Sequence, residues 1–237
     1  MLTIGYIGFG EAAYYISKGL NEEGLNTQYA YDINVKDKAM GDMIRKRAKE
    51  TAVKLTEKIE DLVEKCDIII CATSAKAMES IAESVKNILT TDHLYVDINA
   101  ASSEAKQRVY HLIKESGAKF VDGAVMGTIP VKKHQTLIFL SGDGAQQFQK
   151  FGMAYNMDLV CISEHPGDAS AIKMFRSIFM KGLAALLWET LESSYKHGVL
   201  EHVLVSLNDS LAHQSIYDLA NNLLPRTAIH AERRVVE

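Results

Sequence analysis

Short apolar runs alternate with longer amphipathic stretches over the first two thirds of the chain. Residues 2–7 read as a buried strand, Gly8-Phe9-Gly10 breaks it, and residues 11–20 carry helical spacing with Gly24 as a stop. The alternation then repeats. A strand over 27–31 closes on Asp32, a polar, lysine-rich helix covers 36–50, and a strand at 52–55 leads into a helix at 57–65. Residues 67–72, Asp67-Ile68-Ile69-Ile70-Cys71-Ala72, form a continuous apolar run of the kind a parallel strand shows when both its faces are buried. Beyond it the pattern predicts a helix over 75–89, a strand over 93–98, a helix over 102–116, and strands over 119–125 and 136–141. A helix over 144–151 and a strand over 157–162 complete the series. Strands alternating with helices through short connections specify an α/β fold with a doubly wound parallel sheet. Right-handed crossovers then place the strand C-termini, and any ligand, along one edge.

The pattern changes at Pro166-Gly167. From Asp168 to about His197 there is no proline, Gly182 is the one internal glycine, and apolar residues recur at helical spacing at Ile172, Phe175, Phe179, Leu183, Leu186 and Leu187. One helix of about 45 Å is expected there. More helix is expected over 199–212 and 214–223, and a last segment opens at Pro225, which suits a first helical turn. The expected organisation is an α/β domain over residues 1–165 and an all-helical C-terminal domain over residues 166–237. The helical pattern is still running at Glu237, so this second domain is either short or incomplete in this chain.

Composition narrows the class. With 237 residues, 47% of them hydrophobic and 24% charged, the chain can bury a core without disulfide or metal staples. A net charge of -4, with acids and bases interspersed, argues against a nucleic-acid surface. No apolar run approaches the ~20 residues that span a bilayer. The first residues lack the basic segment and apolar stretch of a secretory signal. Cys66, Cys71 and Cys161 form no CxxC pair and have no histidine at zinc-ligand spacing. They read as reduced core thiols in a cytoplasmic protein, and no metal site is expected.

The chemistry begins in the first turn. Gly8-x-Gly10-x-x-Ala13 follows a strand and opens a helix, and Asp32 ends the next strand 22 residues after Gly10. Gly8 permits a tight turn, Gly10 lets the backbone approach a pyrophosphate, and Ala13 allows close helix–strand packing. The free N–H groups and positive pole of the helix suit phosphates. This is a Rossmann-type dinucleotide site. Asp32 can accept two ribose hydroxyls, which favours NAD over NADP, although Lys36 and Lys38 lie close enough in sequence to meet a 2′-phosphate.

With these residues in place the chain resembles the β-hydroxyacid dehydrogenase superfamily, the group of 6-phosphogluconate and 3-hydroxyisobutyrate dehydrogenases, over essentially its whole length. Ile4-Gly5-Tyr6-Ile7-Gly8-Phe9-Gly10-Glu11-Ala12-Ala13 is similar to the family's cofactor motif, and Glu11-Ala12-Ala13 looks most like a 6-phosphogluconate dehydrogenase-like oxidoreductase branch. The resemblance implies that Gly8, Phe9, Gly10, Glu11 and Ala12 hold the cofactor. It implies that Thr73 and Ser74, in the loop after the fourth strand, pass the nicotinamide, and that Asn99, in the loop after the fifth, lines the site. A family loop reading Val-Ser-Gly-Gly holds the substrate carboxylate. Its counterpart is Val125-Met126-Gly127-Thr128, where Met126 replaces the serine and Thr128 the second glycine. Backbone N–H groups of Met126, Gly127 and Thr128 remain to bind an anion.

The family's catalytic motif, a glycine-started helix with a lysine and, four residues on, an asparagine, is similar to Gly167-Asp168-Ala169-Ser170-Ala171-Ile172-Lys173-Met174-Phe175-Arg176-Ser177. Lys173 falls on the lysine. Ser177 falls on the asparagine and keeps a hydrogen-bonding group while losing reach and one donor. Oxidising an alcohol by hydride transfer needs a base for the hydroxyl proton. Burial, a nearby cation or the positive pole of a helix lowers a lysine's pKa and suits it to that work. Arg176 and Ser177 share the Lys173 face at i+3 and i+4.

A second cationic face, Arg226, His230 and Arg233 with Arg234 adjacent, is spaced to bind a carboxylate or phosphate, or simply to complement a helix C-terminus. In some members of the resembling family such cations bind the substrate anion across a dimer. The expected protein is therefore an NAD(P)-dependent dehydrogenase of a small anionic 3-hydroxy acid, with decarboxylation able to follow. It is expected to form a homodimer, in which the apolar face of the long helix finds a partner. Two other readings stay open at this stage. One is an imine reductase, whose known examples lack the lysine. The other is a non-catalytic nicotinamide-nucleotide-binding protein with an eroded site.

Overall fold

The computed structural model describes residues 2–229, with 223–229 described in backbone only. Eight strands, numbered in chain order, form one sheet: β1 (Ile4–Ile7), β2 (Gln28–Tyr31), β3 (Lys54–Leu55), β4 (Ile68–Cys71), β5 (Leu94–Asp97), β6 (Lys119–Val125), β7 (Ile138–Ser141) and β8 (Leu159–Ser163). Seven helices are threaded between them: α1 (Glu11–Glu22), α2 (Met40–Glu50), α3 (Ile59–Val63), α4 (Met78–Val85), α5 (Ser103–Lys114), α6 (Ile129–Lys132) and α7 (Ala145–Met153). The strand order is β3-β2-β1-β4-β5-β6-β7-β8. The chain thus works outward from β1, then returns to lay β4 against β1's other side. The crevice where the order reverses lies beyond the strand C-termini, where Ile7 pairs with Cys71.

The sequence of β4 explains its central place. Ile68 and Ile70 enter the core on one face of the sheet with Tyr6, Ile16, Val96 and Phe148. Ile69 and Cys71 enter the core on the other face with Leu62, Tyr95, Val109 and Phe120. Every residue of β1, β4 and β5 is buried. In β4 a period of two with both faces covered leaves no solvent-facing position, hence the unbroken apolar run. Each large side chain so buried contributes about 1.5–3 kcal/mol. Burial also pushes the Cys66 thiol up to about 12 and the Cys71 thiol up to about 11. Both therefore act as small core residues rather than nucleophiles.

The sheet is mostly parallel, with one departure from the sequence expectation: β7 runs antiparallel to β6, Asp122 pairing with Ser141. A parallel neighbour needs a crossover element across the sheet. Residues 126–137 form only the four-residue α6 and a 3-10 turn over Lys133–Gln135, packed beside α1. Gly19 of α1 makes that packing possible, since a Cβ there would overlap the buried ring of His134. Gly19→Ala gains up to about 1 kcal/mol in helix propensity but overpacks this contact at about 1–3 kcal/mol. The net expectation is a lower urea midpoint, measured by equilibrium unfolding.

After β8 come α8 (Asp168–Lys196), α9 (Leu200–Leu211) and α10 (Ile216–Ile229). The chain divides into two compact units, Met1–Ser177 and Ile178–Glu237, so α8 contributes its first turns to one and its remainder to the other. The break expected before Pro225 is absent from the described backbone, and α10 runs through it. Proline inside a helix removes one backbone hydrogen bond and need not end it. No helix among the described residues is long and apolar enough to cross a membrane.

Candidate active site

The glycine loop sits at the reversal of strand order. Gly8 adopts a φ of +84°, a left-handed conformation that other residues rarely take. A Cβ on Gly8 would lie 2.6 Å from both the Ala72 carbonyl oxygen and the Thr73 methyl group. Gly8 is therefore where the loops after β1 and β4 meet. Gly10 precedes α1 with no side-chain cap, and a Cβ there would meet nothing within 4 Å among the described residues. The helix thus presents uncapped N–H groups, those of Glu11 and Ala12 among them, beside open space. A pyrophosphate fits such a site in charge and in room.

Phe9 and Asp32 play parts that their motif positions do not reveal. The Phe9 ring is fully buried in the core against Tyr6, with ring centroids 5.9 Å apart. Its backbone N–H donates to Asp32 Oδ2 at 2.8 Å, while Asp32 Oδ1 accepts the Asn34 N–H at 2.9 Å. Asp32 thereby ties the end of β2 to the glycine loop and caps the 3-10 turn over Ile33–Lys36. Each oxygen retains a lone pair for a ribose hydroxyl. Lys36 and Lys38 are exposed just beyond it.

Thr73 and Ser74 are exposed in the loop after β4. Asn99, by contrast, is buried and acts as a strut. Its Oδ1 accepts the Thr73 N–H at 2.7 Å, and its Nδ2 donates to Cys71 Sγ at 3.3 Å. Asn99 shapes the loop that carries Thr73.

A cleft of about 460 Å³ opens next to the glycine loop. Glu11 and Ala12 from the start of α1, Gly127 and Thr128 from the loop after β6, and Lys173 from α8 all line it, with Ile98, Val125, Ile129 and Pro130 supplying apolar walls. The structure thus brings together five of the residues singled out from sequence. Met126 does not line the cleft, and its N–H is taken by the Leu137 carbonyl at 2.8 Å. Arg176 is exposed, Ser177 is partly buried, and neither lines the cleft. Of Arg226 only the backbone is described, and His230, Arg233 and Arg234 lie outside the described residues.

Lys173 is half-buried, and burial pushes its ammonium below the ordinary lysine range. The Lys106 ammonium adds to the depression and the Asp122 carboxylate opposes it. These two groups belong to a buried cluster that sequence reasoning missed. Lys106 Nζ lies 2.7 Å from Asp97 Oδ1 and 3.3 Å from Asp122 Oδ1, with all three side chains wholly buried. Two signals were available: Lys106 shares a helical face with the buried Val109 and Ile113, and Asp122 interrupts the apolar run of β6.

A second hollow, of about 650 Å³, lies between α7 and β8 near Lys119, Gly142 and Asp143. Lys119 opens β6, so this hollow sits at the opposite sheet edge from the glycine loop.

Residues 3–154 match the family model described as the NAD binding domain of 6-phosphogluconate dehydrogenase, and residues 195–237 match a domain of unknown function (DUF1932). A conserved hypothetical protein from Sinorhizobium meliloti 1021 is 32% identical, with a TM-score of 0.80 over 100% of this chain and 79% of that one. A conserved protein of unknown function, described as structurally similar to 3-hydroxyacid dehydrogenases, is also 32% identical, with a TM-score of 0.78 over 98% of this chain and 85% of that one. Mycobacterium tuberculosis 3-hydroxyisobutyrate dehydrogenase, solved with L-serine, shares the fold at 15% identity and a TM-score of 0.75, covering 91% of this chain and 72% of its own. Imine reductases share the fold at 14–19% identity.

Proposed function

The chain belongs to the family of the 6-phosphogluconate dehydrogenase NAD binding domain, and from its candidate active site we propose that it oxidises a small 3-hydroxy acid with a nicotinamide cofactor, Lys173 acting as general base. The observation that carries this reading is the half-buried lysine of depressed pKa in a cleft shared with the uncapped start of α1.

The cofactor, when bound, accepts the hydride that leaves the carbinol carbon. The chain's residues do the rest. Lys173 Nζ takes the hydroxyl proton as the carbonyl forms. Backbone N–H groups of Gly127 and Thr128, with the Thr128 hydroxyl, hold the substrate carboxylate. Ile98, Val125 and Pro130 keep water from the reacting carbon. Where the 3-keto acid product then loses CO2, the Lys173 ammonium returns a proton to carbon. Asp32 favours NAD over NADP. Among fold neighbours, the Myxococcus stipitatus imine reductase has been solved with NADP+ and its V8 variant with NAD+. The protein works in the cytoplasm, with its cysteines reduced. Trp188 on α8, 73% exposed, and Val205 on α9, 69% exposed, supply an apolar surface for a homodimer, which sedimentation would register as twice the chain mass.

The experiment is a screen of small 3-hydroxy acids with NAD+ or NADP+, following reduced nicotinamide by absorbance. For an active acid, kcat/KM should rise with pH and level off as Lys173 loses its proton. Because burial lowers that pKa, the inflection should fall below the ordinary lysine range. A profile that is flat, or that falls with pH through this region, contradicts a lysine base.

A further inference from the structure

Burying three charges at Asp97, Lys106 and Asp122 is a costly way to fill a core. Desolvation costs several kcal/mol per ion, and well-packed apolar replacements of buried ion pairs are often neutral or stabilising. What distinguishes this cluster is what it holds at each end.

Lys106 sits on α5 with three oxygens around its three donors: the Asp97 carbonyl and Asp97 Oδ1, each at 2.7 Å, and Asp122 Oδ1 at 3.3 Å. From Asp97 the connection runs toward the cofactor side. Asp97 Oδ1 also accepts the Asn99 N–H at 2.8 Å, and Asn99 Oδ1 accepts the Thr73 N–H. Asp97 Oδ2 has no hydrogen-bond partner among the described residues, so Lys106 and one amide hold that carboxylate. From Asp122 the connection runs toward the base. Its Oδ2 accepts the Ser170 N–H at 2.9 Å and the Ser141 hydroxyl at 3.2 Å, and its Oδ1 accepts the Ser170 hydroxyl at 2.7 Å. Ser170 lies in the first turn of α8, three residues before Lys173 and on the same face.

We propose that Lys106 is a positioning residue for the candidate active site, fixing the Thr73 loop through Asp97 and the first turn of the Lys173 helix through Asp122. Both halves of the site are then set by one ammonium group. The assignment rests on the dehydrogenase reading of the cleft. It also has an electrostatic consequence, because Lys106 and Asp122 act on Lys173 with opposite signs. Glu11, at the start of α1, is the further charged side chain lining the cleft with Lys173.

The test uses the whole chain and two readouts. One is the pH dependence of amine labelling at Lys173, read by peptide mass spectrometry, which needs neither substrate nor cofactor. The other is NADH affinity. Lys106→Met should raise the Lys173 pKa toward the ordinary lysine value and weaken NADH about threefold to thirtyfold, the range for coupling through residues that do not touch a ligand. Asp122→Asn should move the Lys173 pKa the opposite way. A residue that merely fills the core would leave both the Lys173 profile and NADH affinity at their parental values in a folded variant. If Lys106→Met leaves two unpaired carboxylates and does not fold, Asp122→Asn alone decides, and an unmoved or raised Lys173 profile overturns the proposal. A parent chain that binds NADH while its variants keep the parental labelling profile contradicts the positioning role alone. A parent chain that binds neither NADH nor NADPH contradicts the dehydrogenase reading and the positioning role with it.

Discussion

Lys173→Met should reduce turnover of any active hydroxy acid by a factor of about 10²–10⁴, the usual contribution of a positioned base, while NADH affinity stays within about threefold of the parent. The two readouts part because of where the lysine stands. It lines the cleft from α8, apart in sequence from the uncapped N-terminus of α1, so its loss removes the proposed proton acceptor and leaves the turn at Gly8–Ala12 intact. Methionine has similar length and prefers apolar surroundings, so it relieves the desolvation that depresses the lysine's pKa. Stability should therefore hold or rise. That combination separates catalysis from folding: an inactive, well-folded variant that still binds NADH is what a general base predicts. Retained turnover removes Lys173 from the mechanism and favours chemistry of another kind in the same fold.

The second large effect comes from comparing the two loop glycines. In Gly8→Ala, the new Cβ meets a carbonyl oxygen and a methyl group at 2.6 Å, on a backbone with a φ of +84°. The left-handed conformation alone costs roughly 1–2 kcal/mol, and the carbonyl cannot rotate away without moving the loop after β4. Both stability and NADH binding should fall. In Gly10→Ala the φ is already -74° and the new Cβ meets no atom of the described residues within 4 Å. Thermal stability should stay within about 1 kcal/mol of the parent. NADH affinity should nevertheless fall tenfold or more, because the methyl group fills the space through which a pyrophosphate approaches the backbone. Equal NADH binding by parent and Gly10→Ala, measured by fluorescence titration, would show that the open space above this turn is not a phosphate site.

These contrasts also indicate what sequence could and could not reveal. The sheet was legible because its strands obey simple constraints: β4 is apolar at every position since both faces are covered, and Gly8 and Gly10 mark a strand-to-helix turn. The reversal of β7 was not legible, since strand direction depends on whether the connecting residues 126–137 cross the sheet, and apolar periodicity is the same either way. Within the site, Glu11, Ala12, Gly127 and Thr128, all at backbone-defined positions, line one cleft with Lys173. Side-chain roles read less well. Asn99 looked like a group facing the cofactor and is a buried strut for Thr73, while Phe9 is a core residue whose amide is held by Asp32. Lys106 escaped notice because a lysine on an amphipathic helix usually faces water. Only the pairing of its position with Asp97 and Asp122, brought together by the order of β5 and β6, gives it meaning.

Every step proposed for the site depends on the turn at Gly8–Ala12 and Asp32 binding a nicotinamide dinucleotide. The most direct measurement is a fluorescence titration of the purified chain with NADH and, separately, with NADPH. Saturable binding is expected, with NADH the tighter of the two, because the Asp32 carboxylate after β2 suits two ribose hydroxyls. Tighter NADPH binding would overturn that preference and assign the 2′-phosphate to Lys36 or Lys38. Binding of neither would contradict the dinucleotide site and the dehydrogenase built on it.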